Sequence, residues 1–180
     1  MPIHRRIPLL LIAAGLFFCI AGLTVKRTTV EELTLSSQLV VHARVGLSFS
    51  RWEGANIYTY TSLEVIEAIK GAPPGELAVK QLGGAVGEDA LEVPGSPELV
   101  QGQEVVLFLV QWKGAYWIHS IVLGKFSVER MAGRAEAVND LNNVGLIDPA
   151  TGMEITDPAG KRNALPLQLL KQQIRRNVQR

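Results

Sequence analysis

The chain is nearly free of cysteine. Cys19 is the only cysteine in 180 residues, and it lies in a hydrophobic N-terminal segment. If that segment is removed, disulfides cannot reinforce the core as they do in many exported small domains. The same absence excludes zinc sites of the cysteine type and thiol catalysis from the mature chain. We therefore expect packing alone to stabilise the fold.

The chain also lacks an excess of either charge, with 18 Lys and Arg against 17 Asp and Glu. Cleavage after residue 21 would remove Arg5 and Arg6, which leaves 18 − 2 = 16 basic residues and a net charge of 16 − 17 = −1. Nucleic-acid binding needs a concentrated basic surface. We therefore expect no nucleic-acid partner.

Sequence motifs for catalysis are missing as well. No G-x-S-x-G, G-x-x-x-x-G-K-[ST] or H-E-x-x-H pattern occurs. His42 and His119, the only histidines beyond residue 25, would form a metal site with Glu64 only if their strands were adjacent; the alternative is that both face solvent from strands. Glu64 and Glu67 lie on opposite faces of their predicted strand and cannot act together. The sequence thus predicts a protein that is not an enzyme, with no catalytic residue, no metal ligand and no cofactor.

What the chain does have is an N-terminal leader. A short basic start containing Arg5 and Arg6 precedes an uncharged apolar run, Ile7–Val25. This layout is typical of an export signal, and its length also suits a membrane helix. Residues 1–25 are therefore predicted to be a signal peptide or an N-terminal membrane anchor. The positive-inside rule places the rest of the chain on the outer side in both cases, so we expect a periplasmic or extracellular protein.

Beyond the leader, a capping box at Thr29 and Glu32 predicts a short helix that ends near Ser36. Alternating apolar residues predict β-strands, and the uninterrupted apolar run Val105–Val110 predicts a central strand that is covered on both faces. The predicted strands are Leu39–Leu47, Ile57–Ile69, Glu76–Leu82, Val105–Val110, Ala115–Val122 and Lys125–Arg130. Residues 50–56 are expected to form a hairpin loop and residues 83–89 a flexible loop.

The C-terminal part is predicted to contain a polar, turn-rich and poorly packed excursion at Met131–Lys161, followed by a helix at Leu165–Gln179. An apolar stripe predicts which face of this helix packs on the domain; its members are Leu167, Leu170, Ile174 and Val178. The basic residues of this helix are expected to face water, or to contact anionic lipid if the leader stays in the membrane.

Several short strands with a helix at each end predict a mainly β fold, an OB-like antiparallel barrel of five to six strands at residues 26–130, with residues 131–180 forming the excursion and the C-terminal amphipathic helix. The order of turn and core signals from Leu33 to Val128, including Gly102–Leu109 and Gly124-Lys125-Phe126, resembles a group of uncharacterised exported bacterial domains. More distantly, it resembles the netrin-like domain of tissue inhibitors of metalloproteinases. That resemblance implies an OB-type five-stranded barrel. The inhibitors chelate zinc through an N-terminal cysteine. This chain has no cysteine after Cys19, so no inhibitory residue is carried over.

Three aromatic residues near the first hairpin are the candidate partner-binding residues: Trp52, Tyr58 and Tyr60. Exposed aromatic side chains on a strand stack on sugars or pack against protein partners, although they can equally fill the end of a barrel. The same two interpretations apply to the aromatics around Lys113-Gly114. We predict an exported non-catalytic binding or interaction module whose partner is another exported protein or a surface ligand. The alternatives are a protease-inhibitor-like protein and an exported metal-dependent enzyme.

Overall fold

A computed structural model of the chain describes residues 24–26, 28–141, 145–148, 150–155 and 162–179. Its described residues form α1 (Val30–Ser36), a 3-10 turn (Ile121–Gly124), α2 (Leu167–Val178) and thirteen strands. The strands are β1 (Thr24–Lys26), β2 (Leu39–Glu53), β3 (Asn56–Lys70), β4 (Leu77–Leu82), β5 (Gly84–Val86), β6 (Asp89–Leu91), β7 (Glu104–Trp112), β8 (Ala115–Ile118), β9 (Lys125–Met131), β10 (Arg134–Asp140), β11 (Gly145–Ile147), β12 (Glu154–Ile155) and β13 (Arg162–Pro166). The fold is mainly β, as predicted.

Eight strands form the main sheet, in the order β13-β10-β9-β7-β2-β3-β4-β8. Neighbouring strands are antiparallel except β4 and β8, which are parallel and pair at Val79 and Tyr116. Strand β8 also pairs with β7, so that β7, β2, β3, β4 and β8 are joined in a closed ring of pairings. Two small sheets accompany the main one, β1-β11-β12 and β5-β6.

The predicted leader falls mostly outside the described residues, which begin at Thr24. Residues 24–26 form β1, which runs parallel to β11. Among the described helices, none has the length and apolar character needed to cross a membrane.

The short helix α1 begins as predicted. The Thr29 hydroxyl accepts a hydrogen bond from the Glu32 amide at 3.1 Å, and the Glu32 carboxylate accepts one from the Thr29 amide at 2.8 Å. This capping box satisfies amides that the first helical turn leaves without partners. It fixes α1 so that Leu33 is buried against the sheet and against α2.

Strand β7 is covered on both faces, which confirms the prediction from its continuous apolar run. Val106 and Phe108 belong to a first core, which lies between the sheet and the two helices. Leu107 and Leu109 belong to a second core, which is enclosed by β2, β3, β4, β7 and β8. Each such side chain contributes about 1.5–3 kcal/mol when it is fully buried, so β7 links the two cores and stabilises both.

The first hairpin is longer than predicted. Residues 50–53, expected to lie in a loop, continue β2, and only Gly54 and Ala55 form the turn. Gly54 adopts a φ of 62°, which glycine reaches without steric cost. The polar residues before it keep the alternation of a strand, with Arg51 opposite Tyr58 and Glu53 opposite Asn56.

Two segments expected to be irregular are ordered strands. Residues 84–91 form a β-ribbon of β5 and β6 instead of a flexible loop. Residues 134–140 form β10, which pairs with β9 and β13. Ala137 and Val138 are buried there, so this part of the expected excursion is well packed. By contrast, one predicted strand is shorter than expected. Strand β8 ends at Ile118 because Ser120 and Ile121 turn the chain with positive φ angles of 52° and 54°.

The C-terminal helix is confirmed, with bounds of Leu167–Val178. Leu167, Leu170 and Ile174 are buried in the first core. Val178, the fourth member of the predicted stripe, is 44% exposed. The helix also buries Lys171, so the prediction that the basic residues of this helix face water is wrong for this lysine.

Candidate binding surface

Aromatic rings and one lysine form a continuous row on the face of the closed ring of strands that points away from the second core. We call this row the aromatic ladder. Its members are Phe49 in β2, Tyr58 and Tyr60 in β3, Lys80 in β4, Trp117 in β8 and Trp112 in β7.

The strand registers place these side chains on one face. Phe49 lies opposite Tyr60, and Tyr60 lies opposite Lys80. Val79 pairs with Tyr116 in the parallel pair of strands, so the residues that follow them, Lys80 and Trp117, also share a face. Directly opposite residues of paired strands are close enough for their side chains to interact. The ladder therefore forms because the registers of several strand pairs bring these side chains side by side.

Successive members of the ladder are in contact. Phe49 stacks on Tyr60 with 5.4 Å between ring centroids. Lys80 Nζ lies 5.3 Å from the Tyr60 ring and 4.1 Å from the Tyr58 ring. Tyr58 meets Trp117 edge to face at 6.1 Å. These separations are typical of favourable aromatic and cation–π pairs, so the row behaves as one connected layer.

The row continues to the end of β7. Trp117 meets Trp112 at 5.6 Å between ring centroids, and its indole N–H donates to the Trp112 carbonyl at 3.2 Å. Trp112 is 55% exposed and Phe49, at the opposite end, is 58% exposed. The ladder thus has a half-buried middle and an open aromatic ring at each end.

An ion pair occupies the middle of the ladder. Lys80 Nζ donates a hydrogen bond to Glu53 Oε2, while the Tyr60 hydroxyl and Arg51 Nε donate to Glu53 Oε1. The hydrogen bonds from Lys80 and then Tyr60 lower the pKa of Glu53 to about 2. The hydrogen bond to Glu53 in turn raises the pKa of Lys80. Both groups remain charged at any physiological pH.

Two further cations lie over rings near the ends of the ladder. The Arg51 guanidinium carbon is 4.6 Å from the Tyr60 ring centroid, and Lys113 Nζ is 4.4 Å from that of Trp112. Lys113 and Gly114 form the turn between β7 and β8 with φ angles of 50° and 77°. Two successive positive φ angles match the tight turns that suit a β-hairpin. This turn holds Lys113 against Trp112.

Of the three predicted partner-binding residues, the structure brings two together. Tyr58 and Tyr60 both belong to the aromatic ladder. Trp52 lies opposite Ile57 in the register of β2 and β3, on the other face of the hairpin, and it is 48% exposed. Phe49 and Lys80 join the tyrosines without having been predicted from the sequence, although the alternation of β2 places Phe49 and Arg51 on one face.

The histidines do not form the metal site considered above. Strand β7 separates β2, which carries His42, from β8, which His119 follows. Glu64 forms its ion pair with Arg44. The described part of the chain contains no group of three residues arranged to hold a metal ion.

The interpretation of His42 as a solvent-facing residue is wrong, because only 4% of it is exposed. It lies 3.3 Å from Glu104 and 3.0 Å from Lys171, in a polar contact between the sheet and α2. Burial and then the charge of Lys171 lower the pKa of His42, against the opposing effect of Glu104. His119 Nδ1 lies 2.8 Å from the Ser120 hydroxyl, and burial lowers the pKa of His119 as well.

Comparison with known proteins gives no relative from which a role could be transferred. No protein-family profile, curated protein or solved structure matches the chain.

Proposed function

We propose that this protein is an exported, non-catalytic binding module built on an OB-like barrel, with the aromatic ladder as its binding surface. The barrel is supported by the closed ring of pairings among β2, β3, β4, β8 and β7. It is also supported by the second core, to which all five of these strands contribute side chains. An OB fold is a five-stranded barrel of Greek-key type, and these strands supply that number in one continuous ring.

The aromatic ladder is the observation that carries the proposal. In OB-type barrels the second and third strands, together with the loops between strands 1 and 2 and between strands 4 and 5, hold the ligand. In chain order, β3 and β4 would be the second and third strands. The corresponding loops would be the Gly54-Ala55 and Lys113-Gly114 turns. The ladder lies across these strands and ends beside the second of these turns, at Trp112.

A non-catalytic role is supported by the contacts of His42. Both of its ring nitrogens have partners within the domain, Glu104 and Lys171, so this histidine is already used to join the sheet to α2. Export is supported by the basic start and the apolar run of the leader. In the part of the chain that the structure describes, no comparable feature favours a protease-inhibitor-like role.

The test is retention of the purified protein on immobilised material from the outer compartment of its host. We expect retention of the wild type and its loss in a Tyr58→Ala, Trp117→Ala double variant. Trp52→Ala serves as the matched control, because it removes an exposed aromatic ring from the opposite face. Circular dichroism verifies that each variant is folded. Equal retention of all three proteins would show that the ladder is not the binding surface.

A further inference from the structure

We propose that the ligand of the aromatic ladder is an acidic oligosaccharide, a linear chain of sugars that carry carboxylates. This inference rests on the proposed function, because it names the ligand class of the same surface. Three properties of the ladder lead to it: its length, its charge and the ion pair at its centre.

The length and openness of the ladder suit an extended ligand. Between ring centroids, Phe49 lies 5.4 Å from Tyr60, Tyr58 lies 6.1 Å from Trp117, and Trp117 lies 5.6 Å from Trp112. The row is therefore several rings long and passes over five strands. The exposed rings, Phe49 and Trp112, are at the two ends. Sugar rings have faces of C–H groups, and these stack on aromatic faces because the ring face carries partial negative charge. A short oligosaccharide would lie along the row and stack on its exposed rings.

The charge of the surface suits carboxylates. The side chains that contact the rings of the ladder include three cations, Arg51, Lys80 and Lys113. Glu53 is the carboxylate that contacts these cations, and it forms ion pairs with Lys80 and Arg51. Among the described side chains in these contacts, three positive charges and one negative charge give a net charge of +2. Arg51 donates from Nε to Glu53 and from Nη2 to Tyr60. Its side chain is nevertheless well exposed, and its remaining guanidinium N–H groups can donate to a carboxylate of the ligand.

The ion pair in the middle of the ladder argues against a protein partner. The fully buried centre of a protein–protein interface is depleted in charged residues, lysine in particular. Here the centre is Lys80 bound to Glu53, and both remain charged because the pair lowers the pKa of Glu53 to about 2. Dehydrating this pair beneath a protein would be costly. A sugar chain has hydroxyl groups and leaves the surface partly hydrated, so it avoids that cost.

Single-stranded nucleic acid is the other polymer that stacks on aromatic platforms, but its backbone tracks a strongly positive groove. The chain as a whole is nearly neutral, with 18 basic and 17 acidic residues. Its positive charge at the ladder is local and is interleaved with aromatic rings. This arrangement favours a polymer that carries fewer charges than a nucleic acid and offers more apolar surface to the rings. A carboxylated glycan has both properties.

The test is isothermal titration of the purified protein with a short oligogalacturonate, alongside a neutral maltooligosaccharide of equal length and a single-stranded oligonucleotide. We expect saturable binding of the oligogalacturonate, at least about tenfold tighter than binding of the neutral sugar and weakened by salt. Trp112→Ala should weaken binding by about tenfold or more. Arg51→Gln should weaken it by a similar factor, while the matched control Arg176→Gln, an exposed arginine on α2, should not.

The outcomes separate the two proposals. Binding of the neutral sugar with equal affinity would overturn the acidic specificity, and tighter binding of the oligonucleotide would overturn the glycan assignment. Absence of binding to all three probes, with ladder-dependent retention on host material, would refute the glycan inference and leave the proposed function standing. Binding that survives Trp112→Ala unchanged, in a variant shown by circular dichroism to be folded, would overturn the assignment to this surface.

Discussion

Lys171 in α2 donates a hydrogen bond to His42 in β2, with 3.0 Å between Nζ and Nδ1, although 129 positions separate the two residues in the chain. An ammonium group can only donate, so Nδ1 must be the accepting nitrogen. The proton of the neutral ring is then on Nε2, which lies 3.3 Å from Glu104 Oε2 and donates to it. His42 is therefore held in its neutral form between a cation and a carboxylate.

The first prediction is that stability falls as the pH falls below about 6.5, the ordinary pKa of histidine. Burial and Lys171 lower the pKa of His42 in the folded protein. Between the folded and unfolded pKa values the unfolded chain binds the extra proton, so acid favours unfolding in that window. The contribution is fully present above the unfolded pKa and is lost as the pH falls toward the lowered folded pKa. Urea unfolding from about pH 8 to about pH 5 measures it.

The other charged groups around His42 must be separated from it in that experiment. Glu67 and Arg175 surround Lys171, and Arg44 and Arg130 surround Glu104. The pKa values of the two carboxylates, Glu67 and Glu104, are lowered from that of an ordinary glutamate, so these groups lose their protons below this pH range. Burial also lowers the pKa of His119, so His119 would contribute to the pH dependence with the same sign. His119→Gln is therefore the control. His42→Gln should reduce the dependence of the unfolding free energy on pH more than His119→Gln does. An unchanged slope in His42→Gln would contradict the assignment of this pH dependence to His42.

The second prediction concerns the other end of the same contact. Lys171→Met should lower the free energy of unfolding by about 1–3 kcal/mol, because Glu67 and His42 lose a buried hydrogen-bond donor. Glu67 would keep Arg175 as a partner. Arg175→Met is the control: its side chain is exposed, and an exposed ion pair contributes about 0–1 kcal/mol. Equal losses in the two variants would show that the buried lysine has no special role.

These contacts mark the limit of what the sequence predicts. Alternation of apolar residues, the capping box and the unbroken apolar run of β7 are local signals, and they predicted α1, the principal strands and the helix stripe. His42 is buried at the contact with α2, where it meets Lys171, and this helix lies far from β2 in the sequence. The aromatic ladder depends on the registers of four strand pairings. Strand β10 is stabilised by pairing with β9 and β13, although its own sequence is polar and turn-rich at both ends.

The third prediction is that Glu53 titrates far below an ordinary glutamate. Hydrogen bonds from Lys80 and Tyr60 lower its pKa to about 2. A pH titration followed by NMR of the side-chain carboxyl carbon measures this value directly. Lys80→Met should move the pKa back toward that of an ordinary glutamate, because the first of these donors is lost. A titration midpoint near about 4.3 in the wild type would mean that the ion pair at the centre of the ladder does not persist in solution.

The fourth prediction concerns the 3-10 turn that ends at Gly124. A Cβ at this position would lie 2.2 Å from the backbone carbonyl oxygen of His119, so the backbone would have to shift. Gly124→Ala should therefore destabilise the protein by about 1–3 kcal/mol, as overpacking usually does. Gly75→Ala is the matched control, because a Cβ there meets no atom within 4 Å. The control should be neutral within about 0.5 kcal/mol, and a similar loss in both variants would contradict the close approach at Gly124.

The fifth prediction tests how α2 is attached to the sheet, using two adjacent leucines. Leu170 is completely buried in the first core, whereas Leu169 is 40% exposed. Leu170→Ala should lower the free energy of unfolding by about 2–5 kcal/mol, through lost burial and the cavity that remains. Leu169→Ala has the same change in helix propensity and should cost less than about 1 kcal/mol. Urea unfolding measures both, and similar costs would mean that α2 does not pack with the predicted face. Because Lys171 follows directly on the same helix, loosening α2 at Leu170 should also reduce the pH dependence attributed to His42.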